Sequence, residues 1–396
     1  MGRNALWTKD FLFLSLANFF LFLAYYALLV TLPSAAIQHY NVSGATAGLF
    51  TTVLLGAAIV VRPFTSRWIE QHGKQAIFLI SLLIFVCSSI AYSFFSSIIP
   101  LLFIRFIHGL GFGIATTVTI AIVADIVPDS RKGEGIGYFI MSSNLAMVIG
   151  PFIGLRILDG FSIHSLFFVS AFFSLSAFLL GCTVRLPKEQ QVTPLPGSKK
   201  FFAFEKTTIP IAITGAFFSF AYSSVLSFMP VFADERGLAR EAGYFFAVYA
   251  TVLMISRPFT GRWFDAHGKN VIVFPSILLF ASGMFCLGMA KEAVLFFVAA
   301  GLIGMGWGTL FPSFQTIAVQ EVEPHRRSVA TATFLSIFDI GIGGGSFAAG
   351  IFTEKLDIGI LYAGSSIYIL LGLFVYYWAQ KKRAVEIKQA SQRQEA

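Results

Sequence analysis

Charge is scarce in this chain. Asp, Glu, Lys and Arg make up 12% of its 396 residues, against about 25% in a soluble domain. So few charges do not cover a water-facing surface of this size, so the chain is read as solvated by lipid. Cysteine is nearly missing too. Cys87, Cys182 and Cys286 lie far apart inside apolar runs, which excludes a disulfide framework and any metal-ligand spacing. They are expected to be buried or lipid-facing thiols. No G-x-x-x-x-G-K-[ST] loop occurs, so no nucleotide is expected to power the protein. No set of nucleophile, base and third group is suggested inside the apolar runs, so no enzymatic activity is expected. Acidic residues are outnumbered, for a net charge of +8. The basic residues are nevertheless spread over short loops rather than one soluble face, which argues against nucleic acid as a partner.

What fills the chain is apolar: 56% of residues are hydrophobic, 46 are Phe, and the mean hydropathy is +0.78. A helix needs about 20 apolar residues to cross the hydrocarbon core. Within that core the backbone must satisfy its own polar groups, so long apolar runs mean helices. Twelve spans are expected, near 11–33, 46–66, 76–95, 100–124, 136–157, 162–183, 209–232, 243–264, 271–290, 294–318, 328–352 and 358–379. The first is taken to end at Pro33, with a polar loop from Ser34 to Ala45. It is read as a retained membrane helix because its run is too long for a signal-peptide core. Residues 1–184 then form an N-terminal six-helix bundle and 209–379 a C-terminal one. Between them 185–208, with Pro187, Pro194, Pro196 and Gly197, reads as a cytoplasmic linker, and 380–396 as a polar, basic cytoplasmic tail.

Loop charge sets the orientation. With both termini placed inside, twenty of the 28 Lys and Arg fall in inside segments and about five in outside loops. Such an excess marks the cytoplasmic side. Arg62, Arg105 and Arg257 lie within or at the ends of helices.

The chain is also duplicated. Residues 62–75 read RPFTSRWIEQHGKQ and 257–270 read RPFTGRWFDAHGKN; nine of the fourteen positions are identical at a constant offset of 195. A repeat on this scale outranks local motifs, and parallel repeats of this kind build transporters. At this stretch the sequence resembles the major facilitator superfamily, whose signature between the second and third helices is close to G-x-L-A-D-R-x-G-R-R/K. Gly261, Asp265, Gly268 and Lys269 fit it. In the first copy Ser66 and Glu70 replace the glycine and the aspartate, while Gly73 and Lys74 remain. The resemblance covers essentially the whole chain. It implies that Arg67, Arg262 and these residues form loops that latch the two halves on the cytoplasmic side in the outward-open state, with a carboxylate facing a helix N-terminus, where the dipole stabilises it.

Two further stretches carry the resemblance. Arg105, His108 and Gly109 sit where the family's fourth-helix motif R-x-x-Q-G-x-x-x-A/G has its named residues, with His108 in place of Gln. That implies a role for Arg105 in proton transfer. A charge inside the membrane needs a partner or a water-filled cavity, and His108 titrates in the right range; a structural, hydrogen-bonded histidine and a snorkelling arginine are the alternatives. Gly150, Pro151 and Gly154 match part of the antiporter signature G-x-x-x-G-P-x-x-G-G, with Ala146 and Leu155 at its first and last glycines. In the family this motif accompanies export; small residues also let helices approach closely whatever the function.

Asp339 falls about eleven residues into the eleventh span, ahead of Gly341, Gly343, Gly344 and Gly345, and its counterpart at the 195 offset is Asn144. A desolvated carboxylate of this kind binds a proton more readily, which makes it a candidate for coupling; the alternative is a structural aspartate bonded to loosened backbone. The resemblance places the first and seventh helices around a central cavity, so Asn18, Tyr25, Tyr26, Tyr222 and Ser223, with Asn144, are candidate substrate contacts. The expectation is an all-α integral membrane protein of twelve transmembrane helices in two pseudo-symmetric six-helix bundles. It is a secondary active transporter in the cell membrane, a monomer with both termini cytoplasmic, whose partners are a small-molecule substrate and the lipid bilayer. It uses no cofactor beyond the proton gradient and works by proton-coupled efflux, as antiport, of a small amphipathic or hydrophobic molecule through alternating access. Proton-coupled uptake of a sugar or organic acid, and a non-transporting membrane sensor or scaffold, are the alternatives.

Overall fold

The computed structural model describes residues 6–128, 131–186, 205–320, 322 and 327–395, and among these it contains no strand. Among the described residues twelve long helices follow one another. They are α1 Lys9–Tyr40, α2 Gly44–His72, α3 Lys74–Ala91, α4 Ile98–Ile126, α5 Lys132–Gly160, α6 Ile163–Thr183, α7 Ile209–Glu235, α8 Ala242–His267, α9 Lys269–Met289, α10 Ala293–Gln320, α11 Arg327–Thr353 and α12 Ile358–Glu395. Among the described residues, all but α8 are long and apolar enough to cross a membrane by length and composition. Phe168, Phe172, Leu175 and Leu179 form an exposed stripe along α6, and Ile367, Leu371, Phe374 and Trp378 one along α12. Apolar side chains turned outward at helical spacing suit a lipid surround.

Three boundaries differ from the sequence reading. Pro33 does not end the first helix; α1 continues to Tyr40 and takes in most of the expected loop. A proline removes one backbone hydrogen bond and bends a helix without having to stop it, provided packing holds the turns beyond. The repeated stretch is not a loop either. Its first eleven residues are the last turns of α2 and α8, and the connection to the next helix is a single residue: Gly73 (φ 79°, ψ 154°) and Gly268 (φ 82°, ψ 165°). That backbone region is open to glycine almost alone, so the His-Gly-Lys of both copies is a one-residue joint between two helices. At the other terminus, α12 carries straight through the expected tail to Glu395.

The chain divides into two compact units, one from the described residues of Met1–Ala36 and Val53–Ala203, the other from Ile37–Thr52 and Phe204–Ala396. The Ile37–Thr52 segment, the end of α1 and the start of α2, therefore belongs with the second unit and not with the 1–184 bundle expected for it. In the first unit α3 packs on α4 and α6. In the second, α7 packs on α11 and α12, and α9 on α10 and α12.

The duplication extends to individual contacts. A Cβ on Gly109 or Gly113 of α4 would fall within 3 Å of the α2 backbone at Leu54 or Ala58; Gly304 of α10 meets the Tyr249 backbone of α8 in the same way, and Gly308 meets the Leu253 side chain. Gly111 abuts Phe85 and Ser81 of α3 as Gly306 abuts Phe280 and Ser276 of α9. All these pairs obey the 195 offset. Helices in lipid gain little from apolar burial and associate through close van der Waals contact, which small residues permit.

Candidate functional site

In the first unit the structure brings Arg105 and His108 into one polar cluster. Both are fully buried on α4. The His108 Nδ1 lies 3.3 Å from the Tyr92 hydroxyl, and its Nε2 lies 3.3 Å from Ser89 Oγ, which is in turn 2.7 Å from Ser174 Oγ. Phe85 packs on the imidazole at 4.0 Å between ring centroids. The Arg105 guanidinium interacts with the Tyr92 hydroxyl and acts electrostatically on His108. The cluster thus ties α4 to α3, to the turn after it and to α6, with a partner for each imidazole nitrogen.

Asn18 of α1 donates to Ser142 Oγ of α5 at 2.8 Å. Tyr25 lies flat on Phe112 of α4, centroids 4.1 Å apart, and touches Tyr26 edge-on at 4.9 Å. Gly150 and Gly154 set α5 against α1: a Cβ on Gly150 would lie 3.0 Å from the Leu23 carbonyl oxygen, and one on Gly154 2.9 Å from that of Ala27. Pro151 is buried beside them, and Asn144 is half-buried one to two turns earlier.

The second unit repeats the scheme with different side chains. Gly345 of α11, the counterpart of Gly150, meets the Phe220 carbonyl of α7 so closely that a Cβ there would lie 2.2 Å from its oxygen. Ser219 donates to the Phe338 carbonyl at 2.9 Å. Asp339, the next residue, is buried on α11. One turn further the Gly343 carbonyl accepts from Thr52 at 2.7 Å, and Ser346 bridges Ser227 and the Gly48 carbonyl at 2.7 and 3.3 Å. Gly44 and Gly350 complete this contact between the start of α2 and α11. Beyond it the Glu354 carboxylate accepts from the Ala45 amide at 2.9 Å. That bond, with a second from Ser43, holds the Glu354 carboxyl below its usual range.

Tyr222 of α7 stacks on Trp307 of α10 at 4.7 Å, and Trp307 faces Phe338 at 5.9 Å. Trp307 is the counterpart of Phe112, so each unit carries an aromatic on its fourth helix stacked on a tyrosine of its first. Sequence reasoning named the tyrosines and missed this pair; the 195 offset applied to Phe112 reaches it. The repeated stretches are only partly visible. Arg67 and Glu70 are exposed, and Lys74 pairs with Asp125 at the end of α4. Lys269 is half-buried. The side chains of Ser66, Gly261, Arg262 and Asp265 lie outside the described residues.

The sequence profile of the Major Facilitator Superfamily matches residues 14–346 and 240–394. The chain belongs to that superfamily. It is a membrane-embedded transporter rather than an enzyme. Multidrug resistance protein 2 of Bacillus subtilis (strain 168) is 22% identical to this superfamily member over 403 residues, covering 94% of this chain and 96% of its own. The staphylopine export protein of Staphylococcus aureus (strain Mu50) is 23% identical over 343 residues, covering 82% and 84%. Among solved structures, the nucleoside transporter NupG superposes with a TM-score of 0.73 over 94% of this chain and 100% of its own, at 15% identity; that likeness concerns the superfamily fold.

Proposed function

We propose that this chain is a proton-coupled exporter, an antiporter that moves a small amphipathic or hydrophobic molecule out of the cell by alternating access. The observation that carries the reading is Asp339, a carboxylate buried in the interior of a membrane helix beside a glycine-packed contact with α7. A buried carboxylate favours its protonated form and charges when solvated, which is the property a carrier needs in order to exchange a proton for cargo. Arg105 is the second candidate group. His108, bonded through both nitrogens, serves to hold α3, α4 and α6. Export is supported by the relatives named for multidrug resistance and staphylopine export and by the partial antiporter signature at Gly150, Pro151 and Gly154.

The remaining assignments complete the proposal. Both termini are cytoplasmic, and the 185–208 linker joins the two six-helix halves. The stretches around Glu70 and Asp265 gate the cytoplasmic side. Asn18, Tyr25, Tyr26, Asn144 and Tyr222 contact substrate, and no cofactor is used beyond the proton gradient. The test uses inside-out vesicles with an imposed proton gradient and a pH-sensitive dye, challenged with drugs, sugars and metabolites. A substrate that dissipates the gradient with the native chain and not with Asp339→Asn supports antiport through this residue. Uphill transport retained by Asp339→Asn removes it from coupling, and substrate movement in the opposite sense replaces export with uptake.

A further inference from the structure

The last helix of each unit leaves the apolar region differently. α6 stops at Thr183, and the chain beyond it turns onto α3: Gln75 donates to the Val184 carbonyl at 2.8 Å and accepts from the Leu186 amide at 3.4 Å. In the second unit Asn270 takes the place of Gln75. It accepts at 2.9 Å from the hydroxyl of Tyr376, inside α12. That bond fixes α12 to the start of α9. The apolar span of α12 ends at Lys382, and the helix continues to Glu395.

The exit carries aromatic and basic side chains together. Tyr377 and Trp378 are exposed, and so are Lys381 and Lys382. The Lys382 ammonium lies over the Trp378 ring, 5.2 Å from its centroid. Residues 378, 381 and 382 share one helix face by their spacing of three and four. A tryptophan at the end of an apolar span sits at headgroup level, and the cation–π contact holds an ammonium at that level. Positive charge anywhere in the following segment would serve to orient the helix; an ammonium laid on an exposed indole at the apolar border goes beyond that need. At the 195 offset Tyr377, Trp378, Lys381 and Lys382 correspond to Cys182, Thr183, Leu186 and Pro187, so the shared helix packing requires none of them.

We propose that Trp378, Lys381 and Lys382 bind the headgroup of an anionic phospholipid, whose acyl chains lie along α12. The exposed stripe of Ile367, Leu371, Phe374 and Trp378 runs directly up to the two lysines. An apolar track that ends in two cations fits a lipid and not a soluble anion, and basic residues at a membrane surface attract anionic headgroups. The sequence beyond adds Arg383, Lys388 and Arg393 against Glu386 and Glu395. The proposal requires that α12 cross a bilayer and is independent of cargo and direction of transport.

The test places the full chain in nanodiscs of phosphatidylcholine with a minor share of phosphatidylglycerol, at low ionic strength, where surface charge is least screened. Each lipid in turn carries bromine on its acyl chains and quenches tryptophan fluorescence on contact. The quenching lost in Trp378→Phe reports on the site. Phosphatidylglycerol is expected to quench this component at a much lower share of the bilayer than phosphatidylcholine. Lys381→Gln and Lys382→Gln should each lower the preference about fivefold, equivalent to about 1 kcal/mol for a basic residue at an anionic surface. The double change to arginine should keep it. Lys199→Gln with Lys200→Gln removes the same charge elsewhere and should leave the preference intact. An unchanged melting temperature in pure phosphatidylcholine shows that the glutamine variants are folded. Equal quenching by the two lipids in the native chain overturns the proposal, as does a preference that survives loss of both Lys381 and Lys382. An equal loss in the Lys199 and Lys200 variant reduces the effect to diffuse surface charge and also overturns it. Displacement of the lipid by millimolar inorganic phosphate overturns the lipid as occupant.

Discussion

The carboxylate of Glu354, in the turn after α11, accepts a hydrogen bond at 2.9 Å from the amide of Ala45, 309 residues earlier in the chain. Ala45 is the second residue of α2, whose first amides have no partner within the helix. Ser43 caps the same turn, its hydroxyl 3.3 Å from the Thr46 amide. A negative charge here also meets the positive end of the helix dipole. Gly44, Gly48 and Thr52 lie against Gly350, Ser346 and Gly343 along the same contact, so Glu354 fastens its outermost end.

Removing that charge should loosen the start of α2. In Glu354→Gln the Ala45 amide is expected to exchange with deuterium faster than in the native chain, while amides in the middle of α7 keep their protection. Acid should do the same. Because the Glu354 carboxyl is held below its usual value by the Ala45 amide first and the Ser43 hydroxyl second, the cap is fully present above the ordinary carboxylate pKa of about 4.3 and is lost as pH falls through the lowered value. Lys355 acts in the same direction. Mass-spectrometric exchange across that window checks both points; an Ala45 amide equally protected in Glu354→Gln sinks them.

Two neighbouring glycines should answer substitution in opposite ways. A Cβ on Gly345 would lie 2.2 Å from the Phe220 carbonyl oxygen, whereas one on Gly344 meets nothing within 4 Å. Gly345→Val is therefore expected to lower stability by about 1–3 kcal/mol, the usual cost of overpacking. Gly344→Ala should leave the melting temperature unchanged or slightly raised, since alanine suits a helix better. Thermal unfolding in detergent compares the two.

The same contrast holds in the first unit. Gly150 and Gly154 both face the α1 backbone, and Gly137 of the same helix has open space around it. Gly154→Leu should push α5 off α1, with a stability loss of about 1–3 kcal/mol, and Gly137→Ala should be tolerated. An intact melting temperature in Gly154→Leu would show that the α1–α5 contact yields more easily than its geometry implies.

His108→Leu should destabilise the chain without uncoupling it. The change leaves Ser89 and Tyr92 short of a buried partner, at about 1–3 kcal/mol for each group left unsatisfied. Transport per folded molecule should keep its dependence on the proton gradient. A well-folded His108→Leu that transports only downhill would give His108 a part in coupling instead.

Much of this architecture was legible in the residues. Low charge and long apolar runs call for membrane helices, and the 195 offset foretells a repeated packing that the Gly109–Leu54 and Gly304–Tyr249 contacts share to the residue. Other features were hidden for identifiable reasons. Pro33 looks like a stop because local preference disfavours proline within a helix, yet the turns from Ser34 to Tyr40 are held by tertiary contacts, Gln38 with Asp234 among them. The repeated basic stretch looks like a loop because it is polar, whereas the backbone needs only Gly73 or Gly268 to turn. The Tyr222–Trp307 stack joins residues 85 positions apart on different helices, and no local pattern reports such a meeting. For His108 the sequence left a titrating group and a hydrogen-bonded structural histidine open, and its partners, Ser89 on α3 and Tyr92 in the turn after it, are remote in sequence from it on the far side of the α3–α4 connection.

The grouping of Ile37–Thr52 with the second unit has a consequence for how the polypeptide tolerates division. The chain passes between the two units three times, at residues 36–37, 52–53 and 203–204, and only the last passage adjoins the linker. A cut between residues 187 and 204 therefore does not yield two self-sufficient pieces. The C-terminal fragment made alone leaves Ser227 without the Thr51 hydroxyl, 3.3 Å from its own, and Ser346 without the Gly48 carbonyl, and bares the glycine face of α11, while the N-terminal fragment carries the missing hairpin with nothing to rest on. Each fragment is the other's missing part, so the two made together should reassemble into a working carrier where neither endures alone.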